Sequence, residues 1–179
     1  MSLGIERKNA AQDWIENSIF KMNHTNFLQK ELTQLLEGLH ATAEPKWGRM
    51  SAQHMIEHLS GIILISNGRF EAPAMYEEEK LAKNYDYIIK EQNRIKRNTK
   101  APILPEEPLP LRFGSLDEAK EKLLKNLDSF FAHFVANPDV KYMHPAFGLL
   151  NFEEWTYFHG IHTQYHLDQF GLFEGGARA

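Results

Sequence analysis

Three histidines lie within eight residues of one aromatic-rich stretch near the end of the chain, FHGIHTQYHLDQF (158–170): His159, His162 and His166. An imidazole can ligate a metal ion, carry a proton near neutral pH or serve as a hydrogen-bonded polar group in a core. The stretch therefore predicts a metal site, a proton relay or a set of polar core residues.

Helical spacing divides the three histidines. His162 and His166 are four residues apart, which places their Cβ atoms about 5–6 Å from each other and lets both rings reach one ion. His159 lies about 10 Å from His166 along the helix axis, too far to share that ion easily. We predict His162 and His166 as a ligand pair. His159 is either a hydrogen-bonded core histidine or a residue packed behind the ligands.

A third ligand must come from another helix, and QHMIEHL (53–59) offers two histidines. A helical wheel places His58 near the apolar stripe and His54 outside it. We therefore predict His58 as the third ligand and His54 at the pocket edge or in solvent. Glu57 points away, and no carboxylate lies on either inward face. The spacing also allows an alternative, in which pocket histidines perform acid–base chemistry without a metal.

Several neighbours on the last helix complete the predicted pocket. Gln169 follows His166 on the same face and is either a pocket residue or an ordinary helix-end amide. Trp155 and Tyr165 are predicted to line the pocket, with Phe158 beside them, whereas Asp168 is predicted to face the other way. The remaining histidines have no partner at ligand spacing and are interpreted as ordinary polar residues: His24, His40, His133 and His144.

Composition limits the classes of function. The chain has 179 residues, 42% apolar and 25% charged, with a net charge of −4, which predicts one domain (1–179) and gives no general attraction to nucleic acid or membranes. The basic run at 90–100 is interpreted as a solvated face, with a nucleic-acid or partner contact as the alternative. The absence of cysteine excludes disulfides, thiol catalysis by the chain and iron–sulfur clusters. No signal peptide or membrane span is expected, so a cytoplasmic location is predicted.

Four helices are predicted to position these residues. The first covers 25–41, with Asn26 and Gln29 as a capping box, and the second begins after Ser51 and ends at Asn67–Gly68. The third covers 115–137 and the fourth 151–171, each with a predicted N-cap and a glutamate three residues later. The segment up to about residue 22 is expected to be partly helical.

The 69–114 region is predicted to be irregular. It could hold a polar helix within 76–97, and the proline-rich 101–113 is predicted to be an extended loop. No strand alternation is evident. The sequence therefore predicts an all-α fold, a four-helix bundle with a long crossover between the second and third helices.

The segments WGRMSAQHMIEHL (47–59) and HPAFGLLNFEEWTYFHGIHTQYHLDQFG (144–171) resemble the DinB-like metal-binding four-helix-bundle superfamily. They are most similar to an uncharacterised subgroup with a terminal H-x-x-x-H-x-x-Q-F helix. The resemblance covers about a third of the chain. One position departs from the subgroup, which often has a second histidine where this chain has Tyr165.

The resemblance implies a divalent metal, zinc or nickel first and manganese or iron as alternatives, bound by His58, His162 and His166. It also implies a homodimer, and a metal-dependent S-transferase using a low-molecular-weight thiol, or a hydrolase, acting on a small molecule. Two alternatives are kept: a non-catalytic protein that binds a metal or small ligand at the same site, and a helical interaction domain whose histidines are ordinary polar groups.

Overall fold

The computed structural model describes residues 24–99, 109–174 and 176. The partial helix predicted up to residue 22 lies outside the described residues. So does most of the predicted proline-rich loop, of which only 109–113 is described, without regular secondary structure.

Five α-helices and one β-hairpin make up the regular structure of the described ranges. The helices are α1 (Leu32–Glu37), α2 (Ala52–Ser66), α3 (Glu78–Tyr85), α4 (Leu116–Ala136) and α5 (Phe152–Gln169). A π-helical segment, Phe27–Glu31, leads into α1, and another, Asp86–Lys90, continues α3. The hairpin strands are β1 (Tyr142–His144) and β2 (Gly148–Leu150). None of these helices has the length and apolarity needed to cross a membrane.

The predicted all-α four-helix bundle is wrong. The protein is mostly helical, but α1 is only six residues long, and the polar helix that the sequence allowed within 76–97 forms as α3 and adds a fifth helix. Ile88 and Ile89, just after α3, are buried and join the core. An antiparallel hairpin also separates α4 from α5. The core is therefore enclosed by five helices and a small sheet. A bundle of four amphipathic helices does not describe this arrangement.

The hairpin was missed because its strands are too short to display alternation. Each has three residues, and Tyr142 pairs with Leu150 while His144 pairs with Gly148. The Phe147 N–H donates to the His144 carbonyl (3.2 Å) across a turn with Pro145 at its second position. Gly148 then takes a positive φ of 83°, as three-residue hairpin loops require.

Side-chain caps set where the long helices begin. Ser51 Oγ accepts from the His54 N–H at the start of α2, and Ser115 Oγ accepts from the Glu118 N–H at the start of α4. Asn151 and Glu154 form a complete capping box on α5, with both hydrogen bonds present. These three N-caps were predicted correctly because the residue types that satisfy the free N–H groups are few.

The capping box predicted at Asn26 does not form. Asn26 already has helical dihedrals, and its amide donates instead to Glu31 Oε1 (2.6 Å). The Glu118 carboxylate likewise accepts from the Gly114 N–H, so the predicted box at Ser115 is only half formed.

The last helix, α5, is buried on nearly all sides. Thirteen of its eighteen residues are buried, including Asp168, which was predicted to face outward. An amphipathic helix at a surface buries a single stripe. α5 is instead a central helix, which explains why its polar residues are spread around its circumference.

α2 packs most extensively along α4 and also contacts α5 and β1. The large side chains that are fully buried come from α1 and its flanking segments, α2, α4, β2 and α5. They include Phe27, Leu32, Met55, Ile56, Leu123, Phe130, Leu150, Trp155 and Leu167. The contact between α2 and α5 within this core is what brings residues a hundred positions apart into one site.

Candidate metal centre

Two helices present the three predicted ligands. His58 lies near the middle of α2, and His162 and His166 lie one turn apart on α5. Both helices are fixed at their N-termini by the caps of Ser51 and Asn151, and the helices pack together between those ends. The side chains are therefore held by rigid elements, not by loops.

The three rings converge through their Nε2 atoms. His58 Nε2 lies 3.2 Å from His162 Nε2, which lies 3.0 Å from His166 Nε2. One nitrogen from each ring can be chosen so that all three lie within 4.8 Å of one another. Three imidazole nitrogens bound at 2.0–2.1 Å in a tetrahedral arrangement would be about 3.3 Å apart. The two Nε2–Nε2 separations are within a few tenths of an ångström of that value, so the cluster has the ligand type and spacing that a divalent ion requires.

Burial keeps these imidazoles neutral. Desolvation lowers the pKa of His58 to about 4. Desolvation, followed by repulsion from His58, lowers the pKa of His166 to about 3. The pKa of His162 is also lowered well below its usual value, by desolvation and then by repulsion from both neighbours. A neutral ring offers a lone pair, the form in which histidine ligates a metal.

Gln169 and Tyr165 border the triad. Gln169 Oε1 lies 2.6 Å from His166 Nδ1, and the Tyr165 ring meets the His166 ring edge-on, with centroids 5.0 Å apart. Phe158 stacks on His162 at 5.0 Å with an interplanar angle of 18°. The ligand rings are thus supported by aromatic surfaces and by one amide.

Trp155 lies one layer farther from the triad than predicted. It is fully buried and stacks on His159, with ring centroids 5.3 Å apart. His159 Nε2 lies 2.8 Å from the Ser66 hydroxyl, which itself donates to the Ile63 carbonyl. His159 is therefore placed as a hydrogen-bonded core residue, one of the two roles that the sequence left open.

His54 is separated from the triad by its cap contact. Its Nδ1 lies 2.7 Å from Ser51 Oγ at the beginning of α2, and the residue is partly exposed. This position agrees with the expectation that His54 sits at the edge of the pocket or in solvent.

A loop to which the sequence assigned no role at the site covers the end of α5 beside His166. Trp47, interpreted from sequence as a plain core aromatic, is only half-buried, and its indole N–H donates to the Tyr165 hydroxyl (3.3 Å). Its carbonyl accepts from Gln169 Nε2 (3.0 Å), and the Lys46 N–H donates to the Gln169 carbonyl (2.6 Å). The Arg97 guanidinium lies 4.3 Å above the Trp47 ring.

The only sequence signal for this loop is the Trp47–Gly48 pair just before the α2 cap. Gly48 has a positive φ of 91°, and a Cβ there would approach Gln169 Nε2 to 2.8 Å. Helical-wheel reasoning cannot find such a contact, because the loop has no periodicity.

The acidic residue next to His58 serves another purpose. Glu57 is buried, and its carboxylate accepts from the backbone N–H groups of Arg112 and Phe113 (2.8 and 3.2 Å). Within the described residues, the candidate cluster contains histidines alone. The site can therefore bind a metal ion through neutral imidazole nitrogens. Among the described residues, this cluster contains no carboxylate that could act as a base.

Comparisons with known proteins return nothing for this chain: no protein-family model, no curated protein and no solved structure matches. What can be said of its chemistry rests on its own residues and their geometry.

Proposed function

We propose that this protein binds a divalent metal ion through His58, His162 and His166 and acts on a small molecule at that ion. The observation that carries the proposal is the convergence of three neutral Nε2 atoms from two separate helices, 3.0–3.2 Å apart for the two closest pairs. Histidines in a protein interior normally pair with other polar groups, as His159 does with Ser66, so three rings directed at one another favour a shared ligand.

Neutral imidazole suits zinc and nickel, with manganese and iron as weaker candidates. Three protein ligands leave at least one coordination position for a water or a substrate, the arrangement found at catalytic zinc sites. An ion there would lower the pKa of a bound water or thiol toward neutrality and so supply a nucleophile at pH 7.

We favour transfer involving a low-molecular-weight thiol, with hydrolysis as the other reaction. The chain has no cysteine, so the thiol would come from a cofactor or substrate. Tyr165 and Phe158 would pack against the ligand rings and exclude water from them. The likeness to DinB-like proteins supports the same activity, together with a homodimer, and the lack of cysteine favours a reducing compartment such as the cytoplasm.

Elemental analysis of the purified protein tests the site. We expect close to one equivalent of zinc or nickel in the wild type, and loss of the metal in His58→Ala and His162→Ala. His54→Ala is the matched control, because it removes a histidine from the same helix without touching the triad. A wild type that binds no divalent ion, or alanine variants that retain it, would exclude the proposed site.

A non-catalytic role for the same site is the second candidate. It is favoured by the commitment of Glu57 to the backbone at 112–113, and by a cluster that contains histidines alone among the described residues. A panel of thiols and electrophiles, screened with the zinc-loaded protein and with His162→Ala, separates the two roles. Turnover that depends on His162 supports the enzyme, and uniform inactivity supports the binding protein.

A further inference from the structure

The Gln169 side chain links a candidate ligand to the loop that covers it. This buried amide lies between two groups: Oε1 is 2.6 Å from His166 Nδ1, and Nε2 is 3.0 Å from the Trp47 carbonyl. Each end of the amide thus has one partner, and the chemistry of those partners fixes which way the amide faces.

The Trp47 carbonyl can only accept a hydrogen bond, so it must face the NH₂ end of the amide. The oxygen of the amide then faces His166, and an amide oxygen can only accept. His166 must therefore carry its proton on Nδ1. The lone pair of the neutral ring is left on Nε2, the atom that lies 3.0 Å from His162 Nε2.

His162 has no comparable support. Its Nδ1 is buried, and no hydrogen-bond partner for it exists among the described residues. The two candidate ligands on α5 therefore differ at Nδ1: Gln169 holds that nitrogen of His166, whereas that nitrogen of His162 has no partner among the described residues.

We infer that Gln169 is a positioning residue, which holds His166 in the Nδ1–H tautomer so that its Nε2 lone pair faces the ion; the part about the ion rests on the proposed function. Partners of this kind orient ligating histidines, and their loss lowers metal affinity about 10–100-fold. Gly48 is part of the same arrangement, because any side chain there would displace the amide.

Three variants test the inference. Gln169→Met keeps the length of the side chain but removes both hydrogen bonds. Gln169→Glu keeps an acceptor for His166 Nδ1 while placing a second oxygen against the Trp47 carbonyl. Gln164→Met, on the same helix and away from the triad, is the matched control. Far-UV circular dichroism and thermal unfolding confirm that each variant folds.

Two readouts are compared. Long-range ¹H–¹⁵N spectra of the metal-free protein at pH 7, with the His166 signals assigned by His166→Ala, report which ring nitrogen is protonated. Competition with a chromophoric chelator measures affinity for Zn²⁺. We expect Nδ1–H at His166 in the wild type and Gln169→Glu, and a mixture of tautomers in Gln169→Met. Zn²⁺ affinity should fall about 10–100-fold in Gln169→Met and stay within about threefold in Gln169→Glu.

A proton on Nε2 of His166 in the metal-free wild type would overturn the inference, and so would a Gln169→Met protein that binds Zn²⁺ as tightly as the wild type. If the wild type binds no metal at all, the proposed function fails. The tautomer spectra then still decide whether Gln169 sets the protonation of His166.

Discussion

At the residue scale, the histidines of this protein divide into candidate ligands and core residues through their hydrogen bonds. His58 and His162 direct their Nε2 atoms at each other, whereas His159 directs its Nε2 at the Ser66 hydroxyl. All three rings are shielded enough to have a lowered pKa, so burial alone does not separate the two groups. The partner of each Nε2 does.

This difference predicts opposite effects of two similar substitutions. His159→Leu should destabilise the protein by about 1–3 kcal/mol, because it removes a buried hydrogen bond and leaves Ser66 Oγ short of a partner. It should leave Zn²⁺ affinity unchanged. His162→Leu should abolish tight Zn²⁺ binding. Urea unfolding of the metal-free proteins, together with chelator competition, measures both quantities, and a large loss of Zn²⁺ affinity in His159→Leu would contradict the assignment.

The candidate site was predictable from sequence to the extent that it follows helical geometry. Positions i and i+4 on α5 and the wheel of α2 are sufficient to select His162, His166 and His58. The contact between Gln169 and the Trp47 carbonyl was not predictable, because it depends on the path of a loop with a left-handed glycine. Trp155 was predicted one layer too close, since a wheel gives a direction but no depth.

At the element scale, α5 fits into the core through Gly160. A Cβ at this position would overlap His24 Nδ1 and would lie 2.6 Å from Cγ and 3.0 Å from Cβ of that residue. His24 is buried and packs edge-on against Tyr157, so its ring has little room to move. Gly160 thus allows the segment before α1 to approach the central helix closely.

Gly160→Ala should therefore destabilise the protein, although alanine favours a helix over glycine by about 1 kcal/mol. Overpacking a filled core costs about 1–3 kcal/mol and outweighs that gain. Gly61→Ala on α2 is the matched control, because the nearest atom to its Cβ would be 3.9 Å away. We expect the melting temperature to fall for Gly160→Ala and to stay level or rise for Gly61→Ala. Equal changes in the two variants would argue against this packing.

Glu57 attaches the segment at 112–113 to α2. Its carboxylate accepts from Gln53 Nε2 (3.0 Å) and from two backbone N–H groups, and the Arg112 guanidinium donates to the Glu57 carbonyl (2.9 Å). Burial alone would raise the pKa of this carboxyl. The hydrogen bonds from Arg112, Gln53 and Phe113 together outweigh burial and lower it.

Glu57→Gln should destabilise the protein by about 1–3 kcal/mol, because an amide offers one acceptor oxygen where the carboxylate offers two. Glu79→Gln is the control: Glu79 is exposed and pairs only with Lys83 on the surface, so little change is expected. Chemical denaturation at pH 7.5 measures both variants. If Glu57→Gln left the free energy of unfolding unchanged, these hydrogen bonds would contribute nothing to stability.

Elements with strong local signals were predicted, and elements that depend on tertiary contacts were not. The N-caps of α2, α4 and α5 fixed their starts within a residue. The helix suggested within 76–97 exists as α3, but its π-helical continuation at Asp86–Lys90 has no sequence signature. The three-residue strands were too short to show a period.

At the scale of the whole molecule, the incorrect bundle prediction comes from treating every helix as amphipathic. α4 buries one stripe and obeys that rule, whereas α5 is enclosed by its neighbours. A helix that places histidine, threonine and aspartate in the interior has no single apolar face to detect. The topology around such a helix must be learned from tertiary structure.

Buried neutral histidines predict that stability decreases in mild acid. Desolvation lowers the pKa of His159 to about 3, and desolvation followed by repulsion from His159 lowers that of His144 to about 3. Both values lie below the unfolded value of about 6.5. As the pH falls below about 6.5, these histidines become protonated in the unfolded chain but stay neutral in the folded protein. The free energy of unfolding therefore decreases. Glu57, with its lowered pKa, acts in the same direction at lower pH.

Each of these two histidines should reduce the free energy of unfolding by roughly 2 kcal/mol between pH 7 and pH 5. Urea denaturation of the metal-free protein at pH 7.5, 6 and 5 measures the slope. In His159→Leu the free energy of unfolding should decrease less steeply with falling pH, because the unfolded chain has one fewer histidine to protonate. A free energy of unfolding that stays constant down to pH 5 would contradict the burial of these rings.

The central position of α5 has a consequence for how the chain folds. Its contact with α2, seen in His58 and His162, joins residues 104 positions apart. Contacts so distant in sequence form slowly. The intervening chain must lose conformational entropy before the contact can provide any stabilising free energy. α2 and α4 can associate earlier, but without α5 they expose apolar surface that invites aggregation. The histidine triad spans the contact between α2 and α5, so it cannot form until these two helices have packed together.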